Sequence, residues 1–280
     1  MSSYRHRYHA GNAGDVLKHA LLIEVLNDLV EPKLGRLVYL DTHAGEGRYT
    51  LLGTGEWTEG IGRVDAAEPS AELLPFREAL ARCGAPLRLA GKGGEYPGSP
   101  QLALTALRPT DRAVFIERDP ETSALLRRLV GSDRRAEVKT GDGLSLAKAV
   151  LEGTPSENAV VVHVDPAYTD KTEWTDIVGF LYDLREARPF AVIMLWYPVK
   201  SLTRPNALHA ALRKSGVAAS VVELQVTPLD IERNALNGSG VVLIGATASC
   251  VSRCAAIATA LGPILATHEG RFTVRTLGWT

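Results

Sequence analysis

Asp165, Pro166 and Tyr168 directly follow the β-branched run Val160-Val161-Val162-His163-Val164. A carboxylate at a strand end, then a proline and an aromatic ring, suits chemistry on an exocyclic amine. Such an amine is conjugated and a poor nucleophile, so an enzyme that methylates it must hold its hydrogens with acceptors and steer the lone pair toward the donor carbon. The Asp165 carboxylate and the Pro166 carbonyl can be those acceptors. Proline withholds a competing N–H and stiffens the turn, and Tyr168 offers a face on which an extruded base stacks. The bland alternative is an ordinary Asp-Pro turn.

Three further acids sit in comparable places. Asp41-Thr42-His43-Ala44-Gly45-Glu46-Gly47 sets an acid and a Gly-x-Gly turn behind an aliphatic run. Its glycines let the backbone approach a nucleotide, but the third glycine of a dinucleotide fingerprint falls at Thr50, which weakens an NAD reading. A tight turn with no ligand fits the same residues. The run Ala113-Val114-Phe115-Ile116 ends in Glu117, placed to accept from ribose hydroxyls, or else a solvated strand end. Gly141-Asp142-Gly143 suits an adenine edge, or is simply a turn.

For these acids to meet, a sheet must bring them to one edge. Seven short aliphatic runs, at 37–41, 113–117, 136–140, 160–165, 191–196, 220–226 and 240–246, alternate with helical patterns. That alternation predicts an α/β fold, a mostly parallel sheet with helices on both faces. Leu17, Leu21, Leu22, Val25 and Leu29 recur at helical spacing, and Asp119-Pro120 starts a helix carrying Leu125, Leu126 and Leu129. Similar patterns occupy 171–187, 205–214 and 252–261. The gap from Tyr49 to Asp111 is too long for a strand-to-strand link, so a small helical subdomain is expected at 49–100, inserted after the first strand of a domain made of 1–48 and 101–280.

The 280 residues carry 31 basic and 32 acidic groups, a formal net charge of -1, which excludes a strongly basic nucleic-acid binder and leaves any RNA contact to a local patch. Cys83, Cys250 and Cys254 have no C-x-x-C spacing and read as reduced thiols, hence a cytoplasmic protein. Residues 1–19 carry Arg5, His6, Arg7, His9 and Lys18 without an apolar run, so no secretory signal is expected. The apolar stretch 241–267 is interrupted by Arg253 and reads as a strand and a helix rather than a membrane span. His6, His9 and His19 lack further ligands at zinc spacing and adjoin cations, so no metal site is expected.

The Asp165-Pro166-Ala167-Tyr168 segment resembles the fourth motif, Asp/Asn-Pro-Pro-Tyr/Phe, of class I S-adenosylmethionine-dependent amino-methyltransferases. It departs at Ala167, which leaves the turn less rigid. Nearly end to end the chain resembles the RlmJ-type 23S rRNA adenine-N6 methyltransferases. The resemblance is carried by Tyr4-Arg5-His6, His9-Ala10-Gly11-Asn12, Asp15-Val16-Leu17-Lys18-His19, Asp41-Thr42-His43-Ala44-Gly45, Tyr96-Pro97-Gly98-Ser99-Pro100, Glu117, Asp142-Gly143, Asp165-Pro166, Leu195-Trp196-Tyr197-Pro198 and Ser239-Gly240.

That resemblance implies a Rossmann-like class I methyltransferase fold, seven-stranded, with a small helical insertion. It implies S-adenosyl-L-methionine as cofactor, with S-adenosyl-L-homocysteine as product, contacted by Lys18, His19, His43, Gly45, Ser99, Glu117, Asp142, Gly143 and Asp165. Asp165, with Pro166 and Tyr168, would be catalytic, and Tyr4 and His6 would face the substrate. The family's substrate is N6 of one adenine, numbered 2030 in bacterial large-subunit rRNA, in protein-free or early-assembly 23S rRNA. The expected partners are that RNA alone, with no membrane and no metal, and the chain is expected to act as a monomer.

Trp196 and Tyr197 end the fifth run at the edge that carries Asp165, and would wall a base pocket or cap the core. Arg63, Arg77, Arg82, Arg88 and Lys92 in the insertion would touch RNA or form a solvated surface. The same chemistry also fits protein glutamine or DNA adenine as acceptor. A reading of another class is a non-catalytic RNA-binding or ribosome-assembly factor.

Overall fold

The computed structural model describes residues 8–30, 35–84, 88–89, 92–231 and 235–280. Tyr4, Arg5, His6 and Arg7 lie outside the described residues, as do the side chains of Arg88 and Lys92. The seven expected runs form β1 (Leu37–Asp41), β2 (Arg112–Glu117), β3 (Ala136–Thr140), β4 (Ala159–Val164), β5 (Val192–Val199), β6 (Ala219–Gln225) and β7 (Gly238–Ile244). An eighth strand, β8 (Thr273–Trp279), corrects the expected count. The sheet order is β8-β6-β7-β5-β4-β1-β2-β3. β1 pairs in parallel with β2 and β4, β2 with β3, and β4 with β5, whereas the β5–β7, β7–β6 and β6–β8 pairs are antiparallel.

Central strands buried on both faces read as continuous apolar runs, and β1 is buried throughout. From β1 the chain runs outward to β2 and β3 on one side, then crosses back to β4 on the other side of β1. The order therefore reverses there, and a crevice opens beyond the C-terminal ends of β1 and β4. Asp41 pairs with His163 across these two strands, so the acid ending β1 and the turn after β4 share that crevice.

Helix α1 (Ala13–Val30) precedes β1 and is buried from Gly14 to Leu26 almost all round. It is covered on one side by the sheet, and it also packs against α9 (Ala248–Leu265) and two further helices, α3 (Leu74–Arg82) and α4 (Ser99–Ala106). On the opposite face α6 (Gly143–Glu152), α7 (Glu173–Ala187) and α8 (Thr203–Lys214) cover Val162, Ile193 and Val242. α5 (Pro120–Val130) starts at an Asp119 cap whose carboxylate accepts from Thr122 N. The stretch 241–267 is a strand followed by a helix. By length and composition α9 is apolar enough to cross a membrane, but it lies on α1, β6 and β8 with Cys250, Cys254, Ile257 and Leu261 buried.

The inserted segment leaves and returns through an antiparallel pair, Arg48–Thr50 with Glu95–Pro97. It holds a 3-10 turn at Glu56–Glu59, α2 (Ile61–Ala66) and α3, and it shares one core with α1 through Ile61, Val64, Leu73 and Phe76. Two of its arginines are held by backbone carbonyls: Arg63 donates to Ala266 O at the end of α9, and Arg77 to the carbonyls of Val64 and Ala67.

Candidate active site

β1 delivers Asp41, fully buried, as the hub of the crevice. Its Oδ2 accepts from Ser99 Oγ at 2.7 Å and Tyr39 Oη at 3.0 Å, and its Oδ1 from His43 N at 3.2 Å. Burial alone would raise this carboxyl. The His163 charge and the hydrogen bonds from His163, Ser99 and His43 outweigh it and hold the group down to about 2. Asp41 therefore organises the turn rather than reaching a ligand, and Ser99, also buried, is spent on it.

Beyond Asp41 the turn crosses to β2. Ala44 N donates to Ile116 O at 2.9 Å, and Gly45 N to Glu117 Oε2 at 2.9 Å. Glu117 Oε1 accepts from Asp119 N, and burial raises this carboxyl above its ordinary range. Asp142 caps α6 by accepting from Ser145 N at 2.9 Å, a bond that lowers its pKa. Behind it Gly143 touches the β1 turn, where a Cβ would stand 2.0 Å from Thr42 O. His43, half-buried, sits in the fields of Asp165, Asp41 and Asp142 together, and burial keeps it below its usual value. The ends of β1 and β4 and the start of α6 therefore lie close together.

Asp165 follows β4 and is held from α1. Lys18, 4% exposed, places Nζ 2.8 Å from Asp15 Oδ1 and 2.5 Å from Asp165 Oδ2, with the Trp196 ring centroid 5.5 Å away. Burial would discharge a lone ammonium, but the two carboxylates outweigh it and raise Lys18 above its ordinary value. The bridge is thus a fixed positive charge that fastens Asp165 Oδ2. Pro166 is buried behind it. Tyr168 takes φ +52°, a left-handed conformation that costs a non-glycine residue about 1–3 kcal/mol. Its hydroxyl donates to Trp196 O at 2.8 Å, and its ring leans on Trp174 at 4.3 Å between centroids.

Two expected contacts are not where the sequence reading put them. Trp196 and Tyr197 are neighbours on β5 and so face opposite sides of the sheet. Trp196 stands beside Lys18 and Gly14, with a buried Nε1 that has no hydrogen-bond partner among the described residues. Tyr197 is fully buried on the far face, donating to Glu223 Oε2 at 2.9 Å and lying 3.0 Å from His209 Nε2, against Gly240. It does not wall the pocket. His19, 3% exposed, lies 2.8 Å through Nδ1 from Tyr96 Oη and is part of the α1 core contact. Asp15 and Trp174 were not anticipated. The i, i+3 spacing of Asp15 and Lys18 was the available signal for the first. Among the described residues no three His, Cys, Asp or Glu side chains gather as metal ligands.

A family model described as ribosomal RNA large subunit methyltransferase D, RlmJ, matches residues 35–279. The ribosomal RNA large subunit methyltransferase J of Haemophilus influenzae is 34% identical over 254 residues, 87% of each chain. That of Escherichia coli K12 is 35% identical over 254 residues, again 87% of each. The crystal structure of a Legionella pneumophila protein superposes with a TM-score of 0.85 at 26% identity, covering 96% of this chain and 98% of that one.

Proposed function

The chain belongs to the RlmJ family of ribosomal RNA large subunit methyltransferases, and on that premise we propose that it methylates N6 of an adenine in 23S rRNA, the one numbered 2030 in the family. The observation that carries the reading is Asp165, pinned through one oxygen by a buried lysine at the edge where Glu117 ends β2 and Asp142 caps the start of α6. The residues present fit S-adenosylmethionine. Glu117 suits ribose hydroxyls, the Asp142–Gly143 turn an adenine edge, and the turn from His43 to Gly45 a close backbone approach. Bound there, the cofactor supplies an electrophilic methyl group and leaves as S-adenosylhomocysteine.

This chain's own residues do the positioning. Lys18 occupies Asp165 Oδ2, so Oδ1 and the Pro166 carbonyl are the acceptors for the two amino hydrogens, which aims the nitrogen lone pair out of the base plane. After transfer the surplus proton leaves for water. Tyr168, backed by Trp174 and tied to the β5 backbone, is the stacking surface for the extruded base, with Trp196 on the α1 side. Lys18 acts through Asp165 rather than on the cofactor, since Asp15 and Asp165 already claim its charge. We further propose that the chain works as a monomer in the cytoplasm, on RNA not yet packed with ribosomal proteins. Methyl transfer from radiolabelled cofactor to protein-free 23S transcript, compared with assembled large subunits, tests this. Label in the transcript supports the reading, and label in neither refutes it.

A further inference from the structure

The inserted segment reaches the catalytic carboxylate through an unbroken line of hydrogen bonds. Glu56, the first residue of the 3-10 turn, accepts through Oε2 from Asn12 Nδ2 at 2.9 Å, and His9 Nδ1 lies 3.0 Å from the same oxygen. Asn12 Oδ1 accepts from Asp15 N at 3.0 Å, capping α1. Asp15 Oδ2 accepts from Gly11 N at 2.9 Å, reaching back over the helix start. Asp15 Oδ1 then takes Lys18 Nζ at 2.8 Å, and Lys18 takes Asp165 Oδ2 at 2.5 Å. The Asn12 amide can point only one way in this line. A carboxylate cannot donate to its oxygen, and a backbone N–H cannot accept from its nitrogen.

The backbone underneath is fitted just as closely. Ile61 N donates to Gly11 O at 2.8 Å, and a Cβ on Gly60 would stand 2.0 Å from that same oxygen and 2.7 Å from Asn12 Cα. The turn carrying Glu56 therefore touches the start of α1 main chain to main chain. Trp57 locks it from the other side by donating Nε1 to Leu52 O.

We infer that Glu56 and Asn12 are positioning residues for methyl transfer, through which the inserted segment sets the orientation of Asp15, Lys18 and hence Asp165. This rests on the proposed function only for its activity readout. Glu56 lies outside the cofactor and base contacts, so its loss should reach the reaction through Asp165 alone. Glu56→Ala should lower kcat on 23S transcript about fivefold to tenfold, the worth of one or two hydrogen bonds. The KM for cofactor, S-adenosylhomocysteine affinity by calorimetry and Tm should stay near wild type. Glu56→Gln, whose amide oxygen still accepts from Asn12, should restore most of kcat, and Asn12→Ala should lower kcat as much as Glu56→Ala while also lowering Tm through loss of the α1 cap.

The second readout needs no RNA. In the ammonium proton–nitrogen spectrum of the protein, the Lys18 signal, assigned with Lys18→Arg, should be slowly exchanging in wild type and fast in Glu56→Ala. Unchanged kcat and an unchanged Lys18 signal in Glu56→Ala would overturn the inference. So would a parallel loss of kcat, Tm and S-adenosylhomocysteine affinity, which marks a merely structural role. A responsive Lys18 signal in a wild-type protein that methylates no RNA would uphold the relay and refute the proposed function instead.

Discussion

Replacing Lys18 by methionine keeps the unbranched stem of the side chain, one atom shorter, and removes the charge that two carboxylates share. The side chains of Lys18 and Asp15 are each 5% exposed and that of Asp165 is 17% exposed. Breaking a buried ion pair by removing one partner costs about 3–5 kcal/mol, because the other charge is left without compensation. Asp15 keeps the Gly11 N–H, and Asp165 can draw water from the crevice, so the lower end, about 3 kcal/mol, applies. At about 2–4 °C per kcal/mol for a chain of this size, Tm should fall by about 6–12 °C. With Asp165 no longer fixed, kcat should fall about 100-fold. Adding Asp165→Asn should recover about 1–2 kcal/mol relative to the sum of the single changes, since a neutral amide needs no counter-charge. Scanning calorimetry and single-turnover methylation of the four proteins complete the cycle. A Lys18→Met protein with wild-type Tm and kcat, or strictly additive stability effects, would refute the reasoning.

Stability should fall with acid in two windows. His209 is held neutral at about 4, chiefly by burial, so the unfolded chain takes up its proton first. Its contribution is full above about 6.5 and is lost as pH falls toward 4, and His209→Gln should flatten that part of a urea-midpoint profile. Asp41, depressed to about 2, contributes above 3.8, and about 2 kcal/mol should be lost as pH falls from 3.8 to 2. Asp41→Asn should remove that limb. Gly240→Ala puts a methyl 2.2 Å from the Tyr197 ring and should cost about 1–3 kcal/mol by urea unfolding, with cofactor affinity near wild type in the folded fraction. Lys200 and Arg204 are exposed past the end of β5, with no ion pair among the described residues. Reversing both charges should weaken RNA binding and reduce its log–log salt slope by about 2, leaving S-adenosylhomocysteine binding unchanged.

Much of this architecture is written locally in the chain. The runs that became β1, β2, β4 and β5 were legible because strands buried on both faces must be continuously apolar, as in Ala113 to Ile116. β8 was missed because it is an edge strand of mixed exposure, Thr273 to Trp279, with Arg275 inside it paired to Glu223. α4 and α6 are short and begin beside glycines, so neither shows the long helical repeat of α1, and the Gly141-Asp142-Gly143 start of α6 reads as a turn. The acids ending strands, Asp41, Glu117 and Asp165, were visible for the same reason as the strands themselves. The Lys18–Asp165 bridge was not, because it joins positions 147 residues apart, and the insertion's grip on Asn12 depends on tertiary packing that no local pattern encodes. One error was avoidable. Adjacent residues on a strand point to opposite faces, so Trp196 and Tyr197 were never able to wall the same pocket.

The central claim is that Asp165 directs methyl transfer to an adenine amino group. The most direct measurement incubates the protein with S-adenosylmethionine and protein-free 23S transcript, then quantifies methylated nucleosides by mass spectrometry, with Asp165→Ala alongside. The account predicts N6-methyladenosine from the intact protein and none from the variant, with S-adenosylhomocysteine bound by both. No N6-methyladenosine from an intact protein that binds S-adenosylhomocysteine, or equal product from both proteins, would contradict it.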